Sequence, residues 1–250
     1  MQKHQIKGLI LAAGRGSRMD HLTSDQPKCF SELGGKRLID WQLESFKKAN
    51  ITNIAIVTGY LSEKFNEYNL TRYKNENWNN TNMVSSLIKA SSFFDTNTVI
   101  SYSDIVFHQD AVTNILNQEG DIVLGYDKNW LQQWKRRFED PKQDAESFDI
   151  SQDHLIRDIG RNIDSVDKTK GQYTGLFKLT PKGMSSILDV LRKYPKRIST
   201  LDMTALFQLM IKEGVRIHGA DIQSEWFEID TPKDLNIAES LYNSSQLKIS

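Results

Sequence analysis

The chain has 250 residues, enough for one large α/β domain with a full core. Its 32 basic and 32 acidic residues cancel, which speaks against nucleic acid or an anionic membrane as partner, since both normally need a basic patch. A single cysteine, Cys29, excludes an internal disulfide and fits a reducing compartment, and no segment nears the ~18 apolar residues of a membrane span.

Strands and helices alternate along the first half. Ile6–Ala13 reads as a buried strand. With Lys3, His4 and Lys7 around its start, it is too short for a signal core plus cleavage site, so a cytoplasmic protein is expected. Arg37–Ala49 is an amphipathic helix with Leu38, Ile39, Trp41, Leu43 and Phe46 inward. Asn53–Thr58 is a parallel-type strand ended by Gly59, followed by a short helix at Glu63–Tyr68 and a short strand at Thr71–Asn75. Met83–Phe94 is helical with Thr81 or Asn82 as N-cap. Thr98–Tyr102 is a third buried strand, Ala111–Asn117 a helix and Asp121–Tyr126 another strand. This order predicts an α/β fold, a three-layer αβα sandwich around a mostly parallel, Rossmann-like mixed sheet.

The second half changes character. Residues 127–150 are aromatic and charged, with weak periodicity. Ser147–Ile150 and Leu155–Ile159 read as antiparallel strands about a turn at Gln152-Asp153. Gln172–Leu179 is a strand, and Pro181–Lys193 and Asp202–Glu213 are helices, the second closed by Gly214. Val215–Ala220 and Trp226–Ile229 are late strands, Pro232–Tyr242 is the last helix, and the polar tail from Asn243 is expected to fray. No repeat or linker interrupts the chain. A single domain over 1–250 is expected, with a nucleotide-binding core at about 5–126 and an acceptor-binding and metal-completing region at about 127–242.

The chemistry concentrates first in residues 9–28. A strand ending in Gly14-Arg15-Gly16-Ser17-Arg18 points backbone N–H groups outward, and such a concavity holds anions. Gly14 and Gly16 permit positive φ and close approach to a phosphate. Arg15, Arg18 and, beyond Pro27, Lys28 supply the charge that a nucleoside triphosphate needs. Met19 stands where a dinucleotide fingerprint would place its third glycine, and no Gly-Lys-Ser/Thr exists. A βα turn with solvated basic residues is the bland alternative. Leu11, Ala12, Ala13, Gly14, Gly16, Arg18, Pro27 and Lys28 resemble the Leu-Ala-Ala-Gly-x-Gly-x-Arg and Pro-Lys signature of the sugar-nucleotide, MobA-like nucleotidyltransferases. The resemblance implies that residues 11–18, Ser17 included, bind the nucleotide. It also implies that Lys28 bridges the acceptor phosphate and the α-phosphate while Arg18 steadies the β- and γ-phosphates, as the two catalytic cations.

Two acids come next. Asp104 follows Val-Ile-Ser-Tyr-Ser at the carboxyl end of a strand, where ligands gather in open α/β sheets, with Ser103 as a neighbouring nucleotide contact. Asp230 follows Trp-Phe-Glu-Ile just before a helix. Nucleotidyl transfer needs a divalent ion, and Mg²⁺ takes one or two carboxylates plus substrate oxygens and waters. In the family resembled, one aspartate after a central strand and one late acid at a strand–helix junction hold the metal, positions that Asp104 and Asp230 match. Glu228 lies on the same strand face as Asp230. Read alone, Asp104 merely closes a strand, and Asp230 stands outside a cap made by Thr231, Pro232 and Asp234.

Asn75–Leu87 is rich in amides, which suit a base edge. Trp78, Thr81, Asn82, Met83, Ser86 and Leu87 resemble the Trp-x-x-Thr-Asn-Met-x-x-Ser-Leu string of the cytidylyltransferase branch related to phosphocholine cytidylyltransferases. That favours CTP, with Asn82 near the base, although an Asn-rich loop before a capped helix would use the same residues. Trp130, Trp134, Arg136, Arg137, Phe138, Asp140, Asp144 and Glu146 crowd together after the strand at Asp121–Tyr126. Aromatic and acidic groups cage a cationic amine, and arginines hold a phosphate or carboxylate. The mixture suits a zwitterionic phosphorylated acceptor, with a salt-bridged surface lid as the alternative. Tyr173 lies on a strand where relatives contact the acceptor. The five histidines show no paired metal spacing.

Together these features imply a Mg²⁺-dependent cytidylyltransferase. Its small phosphorylated acceptor, phosphocholine-like, a phosphorylated amino acid or an aminophosphonate, would attack the α-phosphate of CTP and release pyrophosphate. Surface polysaccharide or glycoconjugate precursor synthesis is the expected setting. A uridylyl- or guanylyltransferase acting on a sugar phosphate and a non-catalytic nucleotide-binding subunit are the rivals, and a homodimer is compatible with each.

Overall fold

The apolar run near the N-terminus becomes β1 (Lys7–Ala12), in which Leu9 and Leu11 enter one core while Ile10 and Ala12 enter another. A strand covered on both faces needs this near-continuous hydrophobic run. The structure is a computed structural model that describes residues 5–223 and 225–249, so Lys3, His4 and the last tail residue, Ser250, lie outside the described residues.

A small hairpin of β2 (Glu32–Leu33) and β3 (Lys36–Arg37) leads into α1 (Leu38–Lys48), β4 (Asn53–Thr58) and β5 (Thr71–Lys74). Then come α2 (Met83–Lys89), β6 (Thr98–Tyr102), β7 (Ile105–Phe107), α3 (Gln109–Asn117) and β8 (Ile122–Asp127). The second half holds α4 (Leu131–Arg137), β9 (Glu146–Ile150), β10 (Ile156–Asn162), β11 (Gln172–Leu179) and α5 (Pro181–Lys193). It closes with α6 (Met203–Lys212), β12 (His218–Asp221), β13 (Trp226–Glu228) and α7 (Pro232–Asn243).

The central sheet has seven strands in the order β12-β8-β11-β6-β1-β4-β5, and β11 alone runs against its neighbours. Leu87 of α2, Ile187 of α5 and Phe207 of α6 cover one face; Phe46 of α1, Ile115 of α3 and Trp134 of α4 cover the other. This is the expected three-layer α/β sandwich with a mostly parallel mixed sheet. Among the described residues no helix is long and apolar enough to cross a membrane.

Three elements differ from the sequence expectation. The tail docks instead of fraying: Leu247 and Ile249 are buried in a third core with Met19, Trp41, Val106 and Ile229. Two apolar side chains suffice to seat an otherwise polar segment. Residues 127–150 contain α4, where the buried Trp130 at its N-cap and Trp134 within it stand at helical spacing around a run of Gln, Lys and Arg that hides the pattern. The third difference is β7, which pairs antiparallel with β13, Glu228 lying opposite Ile105. That two-stranded ladder lies outside the central sheet, and it assembles the site.

Candidate active site

Asp104 immediately precedes β7, and Asp230 lies two residues beyond β13. The Ile229 N–H donates to the Asp104 carbonyl at 2.9 Å, extending the ladder to the acids themselves. Lys28 Nζ donates to Asp104 Oδ2 at 2.7 Å and to Asp230 Oδ1 at 2.5 Å. Arg18, with its side chain 65% exposed, reaches Asp230 Oδ2 at 3.0 Å. Burial works against the Lys28 charge, but the two carboxylates outweigh it and raise its pKa. Burial also opposes ionisation of Asp230, yet Lys28, then Arg18 and Arg137, hold its carboxyl below the usual range.

The glycine turn shapes this cluster. Gly16 has φ 68°, a left-handed conformation that favours glycine, and a Cβ there would stand 2.7 Å from Lys28 Cδ. The lysine stem therefore crosses directly over the turn. A Cβ on Gly14 would meet nothing within 4 Å, so the backbone there lies open. Arg15 stacks over the Tyr60 ring at 5.7 Å, and Ser17 opens a short 3₁₀ segment. Cys29, next to Lys28, is buried and its thiol is pushed up to about 12 by that burial, so it is an inert packing group.

The strand–helix junction at Asp230 is held from behind. Asp234 Oδ2 accepts from the Asp230 and Thr231 N–H groups at 3.1 and 2.9 Å, and Thr231 with Asp234 forms a capping box on α7. Arg137 Nε donates to Asp234 Oδ1 at 3.0 Å, and its Nη1 pairs with Glu228. Burial, then the Asp230 charge, pushes the Glu228 carboxyl up to about 8, with Arg137 opposing.

Three residues expected to touch the acceptor are thereby corrected. Arg137 is buried, with Nε on Asp234, Nη1 on Glu228 and Nη2 facing Asp230 Oδ2 at 3.6 Å, so it braces the junction. Trp130 is buried with its ring 5.6 Å from that of Trp134, a core contact. Arg136 lines a different cleft, of about 530 Å³, together with Lys128 and Leu247. The cause is α4: once the segment coils, its aromatic side turns inward and neighbours in sequence part company.

Two smaller clefts adjoin the cluster. Leu11, Ala13, Gly14, Trp78, Thr81, Asn82, Met83 and Ser86 line one of about 120 Å³, at the carboxyl end of β1. The Asn82 amide is already engaged there, as Oδ1 caps α2 by accepting from the Met83 N–H and Nδ2 reaches the Thr200 carbonyl at 3.4 Å. Ala12 is buried in β1 behind it, and Ser103 sits in the β6–β7 turn beside Asp104.

The other cleft, of about 260 Å³, brings together Arg18, Trp134, Asp144, Glu146, Tyr173, Glu228 and Asp230, all singled out in the sequence. Met83 lines both clefts. Burial raises Asp144, and burial followed by the Asp202 charge pushes Glu146 up to about 6. Tyr173 Oη and Trp134 Nε1 are buried in the wall of this cleft without a hydrogen bond of good geometry, the Tyr102 hydroxyl standing beside the first and the Asp144 carboxylate beside the second. Gln172, on the same strand as Tyr173, also reaches this cleft, and Asp202 and Thr204 join it unannounced. Asp202 reads in the sequence as the N-cap of α6, a role it does fill, and nothing local marks its second face.

Asp104 and Asp230 also fit a divalent cation. Two carboxylates already converge on one positive charge, and Asp104 Oδ1 is buried without a hydrogen-bond partner among the described residues. No group of three or more His, Cys, Asp or Glu forms a ready metal cage among those residues. A pair of oxygen donors suits Mg²⁺, which keeps waters and takes substrate phosphates as its other ligands.

Comparisons with known proteins give the family and the fold. The profile of the MobA-like NTP transferase domain matches residues 8–143. A CTP:phosphoglutamine cytidylyltransferase of Campylobacter jejuni is 33% identical, over 93% of this chain and 98% of its own. A choline-phosphate cytidylyltransferase of Haemophilus influenzae is 35% identical over 109 residues, 42% of this chain and 46% of its own length. Among solved structures, the inositol-1-phosphate CTP transferase from T. maritima has the same fold, with a TM-score of 0.76 at 23% identity, covering 95% of each chain.

Proposed function

The chain belongs to the MobA-like NTP transferase family and is a nucleotidyltransferase, and we propose that it transfers CMP from CTP to a small phosphorylated acceptor bearing an amino group. Lys28, buried between Asp104 and Asp230 beside an acidic cleft, is the observation that carries this reading. The names of the relatives support CTP, and Asp144, Glu146 and Asp202, gathered in one cleft, support a cationic acceptor.

In this reading the open backbone at Gly14 to Arg18 receives the triphosphate, with Ser103 beside it and Arg15 and Arg18 on the outer phosphates. The uncharged cleft at Leu11, Ala13 and Asn82 takes the base. Asp104 and Asp230 hold Mg²⁺, which when bound neutralises charge on the departing pyrophosphate. Lys28 leaves the carboxylates to lie between the two phosphates, offsetting their repulsion as they approach. Asp144, Glu146 and Asp202 attract the acceptor's ammonium group and so turn its phosphate toward Lys28, with Trp134, Tyr173 and Glu228 shaping the same cleft. The acceptor phosphate oxygen attacks the α-phosphorus and the bond to the bridging oxygen of pyrophosphate breaks. Positioning and charge supply the acceleration, without a protein nucleophile.

Residues 5–126 thus handle the nucleotide, and residues 127–242 take the acceptor and, through Asp230, complete the metal site, within one domain. A cytoplasmic step toward surface polysaccharide or glycoconjugate precursors fits such a product. The test is pyrophosphate release from each NTP against phosphocholine, phosphoethanolamine, a phosphorylated amino acid and glucose 1-phosphate. Turnover with CTP and an amino-bearing acceptor is expected; turnover confined to UTP or GTP with the sugar phosphate would overturn the reading.

A further inference from the structure

We propose that Gln42 is a positioning residue for this reaction, holding the turn that aims Asp104; the inference rests on the metal-binding reading of Asp104. Gln42 sits on the inward side of α1 between Trp41 and Phe46 and is fully buried, at a position where an apolar side chain would pack. Its Nε2 donates to the Tyr102 carbonyl at 2.9 Å and to the Ile105 carbonyl at 2.6 Å. Its Oε1 accepts from Ser101 Oγ at 3.0 Å.

Those partners have one thing in common. Tyr102 ends β6 and Ile105 opens β7, so the two carbonyls bracket Ser103-Asp104, the whole of the turn. Burying an amide is unfavourable unless its polar groups are paired, and here each of the three bonds goes to this one segment. One turn along α1, Ser45 Oγ donates to the Phe107 carbonyl at 2.6 Å, so the same helix fastens both ends of β7. The Asp104 carboxylate itself has Lys28 on one oxygen and no partner on the other among the described residues. Its aim therefore depends on its backbone, which α1 holds from one side while the Ile229 N–H holds the Asp104 carbonyl from the other. Displacement of a reacting group by about 1 Å lowers rates by about a hundredfold, which gives such a clamp its leverage.

The experiment uses the full chain carrying Gln42→Met, which keeps the side-chain length and removes its hydrogen bonds. Mn²⁺ affinity is read by electron paramagnetic resonance in the presence of CTP, beside kcat and both KM values. We expect Mn²⁺ to bind about tenfold more weakly and kcat to fall by a similar factor, because two buried carbonyls lose their donor. The acceptor KM should stay unchanged. Asp104→Asn serves as reference, and adding Gln42→Met to it should weaken Mn²⁺ no further, since the positioned group is already gone. Parental Mn²⁺ affinity in Gln42→Met, or an equal factor lost in the Asp104→Asn background, overturns the positioning role alone. An Asp104→Asn variant with undiminished Mn²⁺ affinity overturns the metal reading and the inference together. Should Gln42→Met fail to fold, Ser101→Ala removes the hydroxyl that orients the amide. It should show a smaller loss in the same direction, and unchanged Mn²⁺ affinity there sinks the proposal.

Discussion

The two clefts that share Met83 are built on opposite chemistry. The one at the end of β1 is narrow, about 120 Å³, and lined by Leu11, Ala13, Gly14, Trp78 and capped or paired polar side chains, with no charged group among them. Its neighbour is about twice that size, 260 Å³, and gathers Asp144, Glu146, Asp202, Glu228 and Asp230 around a single cation, Arg18. A neutral base needs shape and a few hydrogen bonds, whereas a cationic acceptor needs charge. Lys28 and Arg18 both meet Asp230, one of the acidic cleft's own walls, so cations and carboxylates alternate where, in the proposed reaction, the triphosphate and the acceptor phosphate would meet.

If that seam does the chemistry, removing its acids should outweigh any change made within either cleft. Asp104→Asn or Asp230→Asn is expected to cut turnover by about a hundredfold or more, with circular dichroism unchanged. Near-parental turnover at saturating Mg²⁺ would remove that residue from the seam.

Lys28→Ala should come next. Its charge matters most as the phosphates converge, so kcat should fall by roughly a hundredfold while calorimetric CTP affinity shifts only a few-fold. The same substitution leaves Asp104 and Asp230 facing each other without their shared cation. The variant should therefore melt lower in metal-free buffer and recover when Mg²⁺ is added. An unchanged kcat would leave the phosphate-bridging role without support.

The residues of the seam were legible in the sequence through a signature taken as a whole. Gly14, Gly16 and Arg18 with Pro27-Lys28 match it together, whereas Asp104 and Asp230, read alone, only close a strand and precede a cap. What brings the acids together was not readable. Ile105–Phe107 is only three residues, too short to show a period, and its partner Trp226–Glu228 lies far along the chain. The acidic cleft was half legible. Asp144, Glu146 and Tyr173 reach it, while Arg137 and Trp130, from the same crowded stretch, turn into the interior with α4. Composition names the groups present in such a stretch, but only the helix phase tells which side each faces.

Within the clefts the effects should shrink to about tenfold and separate cleanly. CTP should be preferred to UTP by roughly that factor, since exchanging the 4-amino donor for a 4-oxo acceptor leaves a polar group unpaired. Equal rates with the two would break the assignment of the uncharged cleft to cytosine. Glu146→Gln should raise the acceptor KM about tenfold and leave the CTP KM alone; a change in both would mean that the two clefts do not divide the substrates.

The smallest expected effect is on stability, and its sign is opposite to that on binding. Burial, then Asp202, moves the Glu146 carboxyl from 4.5 up to about 6. Between those values the folded chain holds a proton that the unfolded chain has released, so Glu146 makes stability fall as pH rises through that window. Above about 6 the carboxylate is ionised, unfavourable to the fold and ready for an ammonium group. Glu146→Gln should accordingly melt slightly higher than the parent at pH 7.5 and lose that part of the pH slope. Acceptor KM should rise in the parent as pH drops below about 6, as Glu146 takes up its proton. The acceptor's own phosphate also titrates near pH 6, but it does so equally for both proteins. The contribution of Glu146 is therefore the difference between the two KM profiles, and coincident profiles would show that the acidic cleft binds its cation without Glu146.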